Sequence, residues 1–237
     1  MLRTDLIAPI PELIKRHARE RGAKVAYRDA RSSVTYAQLD ERTGALAGHL
    51  ADHGIAPGDT VAILLPNSTQ WVETCLATAR AGAIGVPISY DATEPEIAYR
   101  LEDANCRAIV TTAERGDLVA KLKAGAPNLK IVIATDRGGS RPDALSYATL
   151  LATAPKSAPR DPALMHEPAF ILYTSGTTGR AKGVLLTVHG MLWIVAACWR
   201  PARASTSWSA SRRPKRCGCS APASSPCFPA CRPCFTT

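Results

Sequence analysis

The chain has 237 residues, 46% of them hydrophobic, and a formal net charge of +9. That length and apolar content fit a globular protein with one or two buried cores. The charge is uneven: the last 37 residues carry six Lys or Arg and no acidic residue, whereas residues 1–200 hold 23 basic against 20 acidic side chains. The body is therefore nearly neutral and gives no support to a nucleic-acid partner. Asp5, Pro9, Pro11, Glu12 and Lys15 interrupt the only candidate for a secretory leader. The most apolar stretch, Val184 to Cys198, is broken by Thr187, His189 and Gly190 and is too short to cross a bilayer. Cys75, Cys106 and Cys198 stand singly in apolar patterns, as in a reduced, cytoplasmic protein.

Ile10 to Arg21 reads as an amphipathic helix with Ile10, Leu13, Ile14 and His17 on one face. Docking on the domain is the expectation for it, with peripheral membrane contact left open. Lys24–Arg28 and Ser33–Tyr36 are short strand candidates joined by a turn. Thr35, with Gln38 three residues on, predicts an N-cap for a helix that buries Leu39, Leu46 and Leu50 and ends at Gly54. Val61–Leu65 is a buried strand. Pro66-Asn-Ser opens a helix expected to bury Trp71, Val72, Cys75, Leu76 and Ala79, and Ala83–Pro87 is the next strand. Thr93-Glu-Pro-Glu96 is a capping box ahead of Ile97 and Leu101. Arg107–Thr111 and Lys130–Ala134 are strands flanking a helix from about Glu114 to Lys123. Gly138–Asp143 and Ala154–Asp161 read as polar, proline-bearing connections. This alternation of helices with uniformly apolar strands predicts an α/β fold, a mostly parallel sheet flanked by helices on both faces.

Pro168–Tyr173 is a further strand and Gly183–Thr187 another, and between them lies the richest chemistry of the chain, Thr174-Ser-Gly-Thr-Thr-Gly-Arg-Ala-Lys182. Gly176, Gly179 and Gly183 permit positive φ and inward-turned N–H groups, a nest for an anion. Thr174, Ser175, Thr177 and Thr178 add hydroxyl donors, and Lys182 adds a positive charge. Together they call for a di- or triphosphate. The Walker A pattern fails, because two residues separate Gly179 from Lys182 and a glycine follows the lysine; there is no G-x-G-x-x-G.

The loop from Tyr173 to Gly183 resembles the phosphate-binding loop of the adenylate-forming enzymes, which include acyl-CoA synthetases, peptide-synthetase adenylation domains and luciferases. Tyr36-Ala-Gln-Leu-Asp40, Gly54–Asp59, Leu65-Pro-Asn67, Ala81–Pro87 and Glu96–Leu101 resemble successive landmarks of fatty acyl-CoA ligases, so the likeness covers about residues 7–200. It implies ATP-dependent activation of a carboxylic acid, fatty by this likeness, through acyl-AMP to an acyl-CoA, with ATP, Mg²⁺ and coenzyme A as cofactors. Thr174, Ser175, Gly176, Thr177, Thr178, Gly179 and Lys182 would bind the nucleotide and Lys182 would act in catalysis. His189 reads as a packing or helix-start residue.

The family's later motifs, among them Tyr-Gly-x-Thr-Glu and a ribose-binding aspartate, have no counterpart here. Residues 1–200 are thus expected to be an N-terminal portion of the adenylate-forming fold, inactive alone. Residues 201–237, without one Leu, Ile, Val, Met, Asp or Glu, are expected to be a disordered tail translated out of frame. A zinc site at Cys217, Cys219, Cys227, Cys231 and Cys234 and a basic arm are the rivals for the tail. For the whole chain, a non-catalytic nucleotide-binding fragment and an inert product remain open beside the ligase.

Overall fold

The computed structural model describes residues 7–136, 141–163, 165–174 and 180–198. The expected tail, 201–237, lies outside them. A helix, α1 (Ile10–Arg21), precedes an antiparallel pair, β1 (Val25–Arg28) and β2 (Ser33–Thr35), and then α2 (Tyr36–Asp52). α1 buries only Pro11 and Ile14, and the ring of His17 lies against that of Tyr36 at 5.3 Å. The capping box of α2 is formed on both sides: the Thr35 hydroxyl accepts from the Gln38 amide and the Gln38 side chain accepts from the Thr35 amide.

Four strand–helix units follow: β3 (Thr60–Leu64) and α3 (Thr69–Arg80), β4 (Ile84–Pro87) and α4 (Glu94–Asp103), β5 (Ala108–Thr112) and α5 (Gly116–Lys123), then β6 (Ile131–Thr135) and β7 (Leu145–Ser146) with α6 (Tyr147–Ala152). β8 (Pro168–Thr174), β9 (Lys182–Thr187) and α7 (Val188–Cys198) complete the described chain. The sheet order is β7-β6-β5-β3-β4-β8-β9, parallel throughout except for the β8–β9 hairpin. Strand pleating sends alternate residues to opposite faces. Val61 and Ile63 meet Leu46 and Leu50 of α2, while Ala62 and Leu64 meet Ile97 and Leu101 of α4. Both faces are covered, which is why these strands read as continuous apolar runs rather than alternating ones.

α3 is wedged between the sheet and α2, so it buries polar as well as apolar positions. Trp71, Val72 and Leu76 are only half-buried, whereas Glu73 and Arg80 are 1% and 2% exposed. Each has partners that make its burial tolerable. Glu73 receives Arg42 from α2 and the Tyr147 hydroxyl from α6, the latter at 2.7 Å. Burial nevertheless pushes the Glu73 carboxyl up, with both partners opposing the shift.

Arg80 is the hub of a second cluster. Its Nη1 donates to the Asp40 carboxylate at 2.8 Å and to the Thr43 hydroxyl at 2.9 Å, and its Nε donates to Asp161 at 2.7 Å. Lys15 of α1 reaches the same Asp161 at 2.6 Å. Burial alone would raise the Asp161 carboxyl; hydrogen bonds from Arg80 and Lys15 overcome it and hold the group below its ordinary value.

Residues 153–161 are thereby more than a connection. They form a strap across α2 and α3. His49 bonds the carbonyl of Thr153, the Asp52 carboxylate accepts the amides of Lys156 and Ser157 at 2.7 and 2.9 Å, and Arg160 donates to the carbonyl of Ile55. Asp161 ends the strap with a φ of 45° and its amide on the carbonyl of Arg80. Replacing Arg80 by Ala leaves the Asp40 carboxylate without its cation and Asp161 with Lys15 alone. Urea denaturation of the Arg80→Ala chain is expected to show a loss of about 3 kcal/mol in unfolding free energy.

Candidate phosphate-loop site

β8 runs parallel to β4, with Phe170 paired to Gly85. A Cβ at Gly85 would sit 2.7 Å from the Phe170 ring, so glycine there is what lets the ring close onto the core. A parallel β8 delivers its C-terminal end to the same edge as the C-terminal ends of β3, β4, β5 and β6, the edge at which open α/β sheets bind ligands. There the chain leaves at Thr174 and returns at Lys182. The two are cross-strand partners in the antiparallel register of β8 and β9. Both are exposed. Among the described residues the Lys182 ammonium has no carboxylate partner, which leaves its charge available to a ligand.

Of the residues assigned from sequence to the loop, the structure thus brings Thr174 and Lys182 together at the mouth of a hairpin. Ser175, Gly176, Thr177, Thr178 and Gly179 lie outside the described residues. One assignment changes. Gly183 is not among the positive-φ glycines and turns no amide inward; it is a strand residue opposite Tyr173. A Cβ on it would stand 2.9 Å from Ile171 and 3.4 Å from the Tyr173 ring. Glycine fits there because the Ile171 side chain of β8 crowds the backbone of β9, with the Tyr173 ring in ordinary contact beside it, a cross-strand packing that sequence spacing did not show.

His189 is a packing residue, as its sequence context indicated. Its amide caps onto the carbonyl of Met165, its Nε2 accepts from the Trp193 indole at 2.6 Å, and its ring lies 4.8 Å from that of His166.

A second crevice, of about 560 Å³, opens between the C-terminal ends of β3 and β5. The chain passes from β3 to β4 on one side and from β4 across to β5 on the other, so this is the switch point of the sheet, where a phosphate ordinarily sits on a helix N-terminus. Here Asp29 takes that place. Its carboxylate accepts the amides of Thr69 at 2.8 Å and of Arg31 and Ser32 at 2.7 Å each. Those amides, Thr69 first, hold it well below the usual carboxylate range. Asp136 and Arg31 also stand on the crevice wall. No group of three or more metal-ligating acidic, His or Cys side chains occurs among the described residues, and no described helix is long and apolar enough to cross a membrane.

The profile described as AMP-binding enzyme matches residues 14–224. The chain belongs to the AMP-binding enzyme family. The match runs past residue 200, where the composition changes. The chain is 35% identical over 194 residues to a non-canonical nonribosomal peptide synthetase of Salinispora arenicola, covering 79% of this chain and 2% of that protein. It is 34% identical to a feruloyl-CoA synthase of an Amycolatopsis species, covering 75% of this chain and 33% of the relative. Among solved structures, the acetoacetyl-CoA synthetase of Streptomyces lividans superposes with a TM-score of 0.72 at 28% identity, over 79% of this chain and 31% of that one. The chain thus spans a third or less of the length of these AMP-binding relatives. The α/β fold with its mostly parallel sheet is that of the N-terminal domain of adenylate-forming enzymes.

The packing account of Gly183 is open to direct test. Gly183→Val crowds the Ile171 side chain and is expected to lower the unfolding free energy by about 1–3 kcal/mol in urea, with Gly183→Ala losing less.

Proposed function

We propose that this chain supplies the nucleotide-phosphate site for ATP-dependent activation of a carboxylic acid, through acyl-AMP to an acyl-CoA. The observation that carries the reading is the register that sets Lys182 opposite Thr174 at the ligand-binding edge of the sheet. In the first step a carboxylate oxygen attacks the α-phosphorus of ATP and the bond to the β-phosphate oxygen breaks. In the second the thiol sulfur of coenzyme A attacks the acyl carbon, AMP leaves, and the thiol proton passes to solvent.

Lys182 offsets the charge on the β- and γ-phosphates as pyrophosphate departs, which is the part of the barrier that fixed charges lower most. Thr174, Ser175, Thr177 and Thr178 donate to phosphate oxygens, and Gly176 and Gly179 let the backbone approach them. Mg²⁺, if carried in on the ATP phosphates, would supply further charge neutralisation for the pyrophosphate beside Lys182. The acid is assigned as fatty from the likeness to fatty acyl-CoA ligases. Relatives named for feruloyl-CoA and acetoacetyl-CoA frame the other acids that a substrate panel should include. A cytoplasmic setting agrees with buried, unpaired Cys75 and Cys106, whose thiols burial pushes up to about 12.

A second reading is a nucleotide-binding protein without turnover, which would use the same Thr174–Lys182 register. Residues 201–237 are assigned to a shifted reading frame. Gene sequencing tests this: absence of the Tyr-Gly-x-Thr-Glu motif from every frame after Arg200 overturns it.

Lys182→Ala is expected to weaken ATP binding about tenfold by calorimetry, the loss of one charge-assisted contact, while AMP is little affected. Equal loss for the two nucleotides contradicts the assignment of Lys182 to the outer phosphates. The 237-residue chain given ATP, coenzyme A and a fatty acid is expected to form no acyl-CoA beyond the Lys182→Ala control, because the groups that hold acid and thiol against the nucleotide are not recognisable in it. Mass spectrometry of the products separates the ligase from the binding fragment.

A further inference from the structure

α4 reaches both stems of the phosphate loop. Its Tyr99 hydroxyl donates to the carbonyl of Ala181 at 3.0 Å, on the returning stem. Its Asp103 carboxylate accepts from the Tyr173 hydroxyl at 2.6 Å, on the departing stem. The two grips are joined to each other, because the Tyr99 hydroxyl lies 3.4 Å from Asp103 and the Tyr99 and Tyr173 rings meet edge to face at 6.1 Å. Cations close the cluster from either side. The Arg100 guanidinium lies 5.7 Å from the Tyr173 ring centroid, and that of Arg180 lies 5.9 Å from the Tyr99 ring.

A hairpin held only by its own ladder is marginal in water. β9 has β8 as its strand neighbour, and its Val184 and Leu185 are exposed. α4 is rigid by contrast: the Thr93–Glu96 box caps it, and Ile97 and Leu101 are buried in the core. Burial and the Asp103 charge push the Tyr173 phenol up, so it stays a donor.

We propose that Tyr99 and Asp103 are positioning residues, through which α4 fixes the separation of the loop stems and so the placement of Thr174 and Lys182 toward the phosphates. This rests on the reading of the loop as the nucleotide-phosphate site. Neither residue touches the nucleotide; each acts through the stem it holds. Holding the stems before binding removes an ordering cost that the ligand would otherwise meet.

The full-length chain, Tyr99→Phe, Asp103→Leu and Asp103→Asn provide the test. Trypsin cleavage after Arg180, counted by mass spectrometry against the other cleavage sites, reads the stems without any nucleotide. Tyr99→Phe and Asp103→Leu are expected to be cut there about three- to tenfold faster and to lose ATP affinity by a similar factor, the scale of one net hydrogen bond, with AMP affinity and thermal midpoint little changed. Asp103→Asn keeps an acceptor for Tyr173 and is expected to behave as the unaltered chain. Unchanged cleavage in Tyr99→Phe, or faster cleavage with an unchanged ATP-to-AMP ratio, overturns the proposal. An unaltered chain that binds no ATP overturns the phosphate reading instead, and the cleavage rates then still decide whether α4 holds the stems.

Discussion

A guanidinium buried between carboxylates from different parts of the chain sets the geometry on which the loop depends. Arg80 takes Asp40 from α2 on one side and Asp161 from the end of the strap on the other, and the strap leads into β8. A buried ion cluster of this kind contributes little as a net stabiliser, since desolvation consumes most of its attraction. Its value is positional. An Arg has a rigid fork of donors that few arrangements satisfy at once, so a strap displaced by an ångström would leave a charge unpaired in the interior. The strand that carries the loop enters the sheet from a point held by that constraint, and Phe170 closing over Gly85 fixes it again a few residues later.

Much of this fold is written locally. The two capping boxes, Thr35 with Gln38 and Thr93 with Glu96, were legible because their partners are three residues apart and their geometry is self-contained. The parallel strands were legible because burial on both faces leaves an unbroken apolar run. At the candidate site, the two strands that flank the loop were legible as short apolar runs, and they pair as β8 and β9.

What was not legible depends on residues far apart in sequence. Glu73 and Arg80 sit on α3 at positions that a simple amphipathic pattern assigns to solvent, and only their partners at Arg42, Tyr147, Asp40 and Asp161 make burial tolerable. The short α6 was missed for a different reason: a run of six residues carries too little periodicity to be read. Residues 154–161 looked like a connection because prolines and polar side chains compose it; its bonds to α2 and α3 bridge about a hundred positions. Gly183 was read both as the start of a strand and as part of the anion nest; only the strand reading matches, and the crowding that favours glycine comes from Ile171 across the ladder.

The carboxylate of Asp29 at the head of α3 changes how the sheet is to be viewed. A covalently tethered anion faces its helix terminus at an effective concentration far above that of any free phosphate in solution. The head of α3 therefore carries its own built-in anion, and the Thr69 amide is already taken. The crevice between β3 and β5 serves as a fastening, tying the β1–β2 ribbon to α3 through Asp29 and the Ser32–Thr69 hydroxyl pair. A position that ligands commonly occupy in such sheets is here used to hold the fold together.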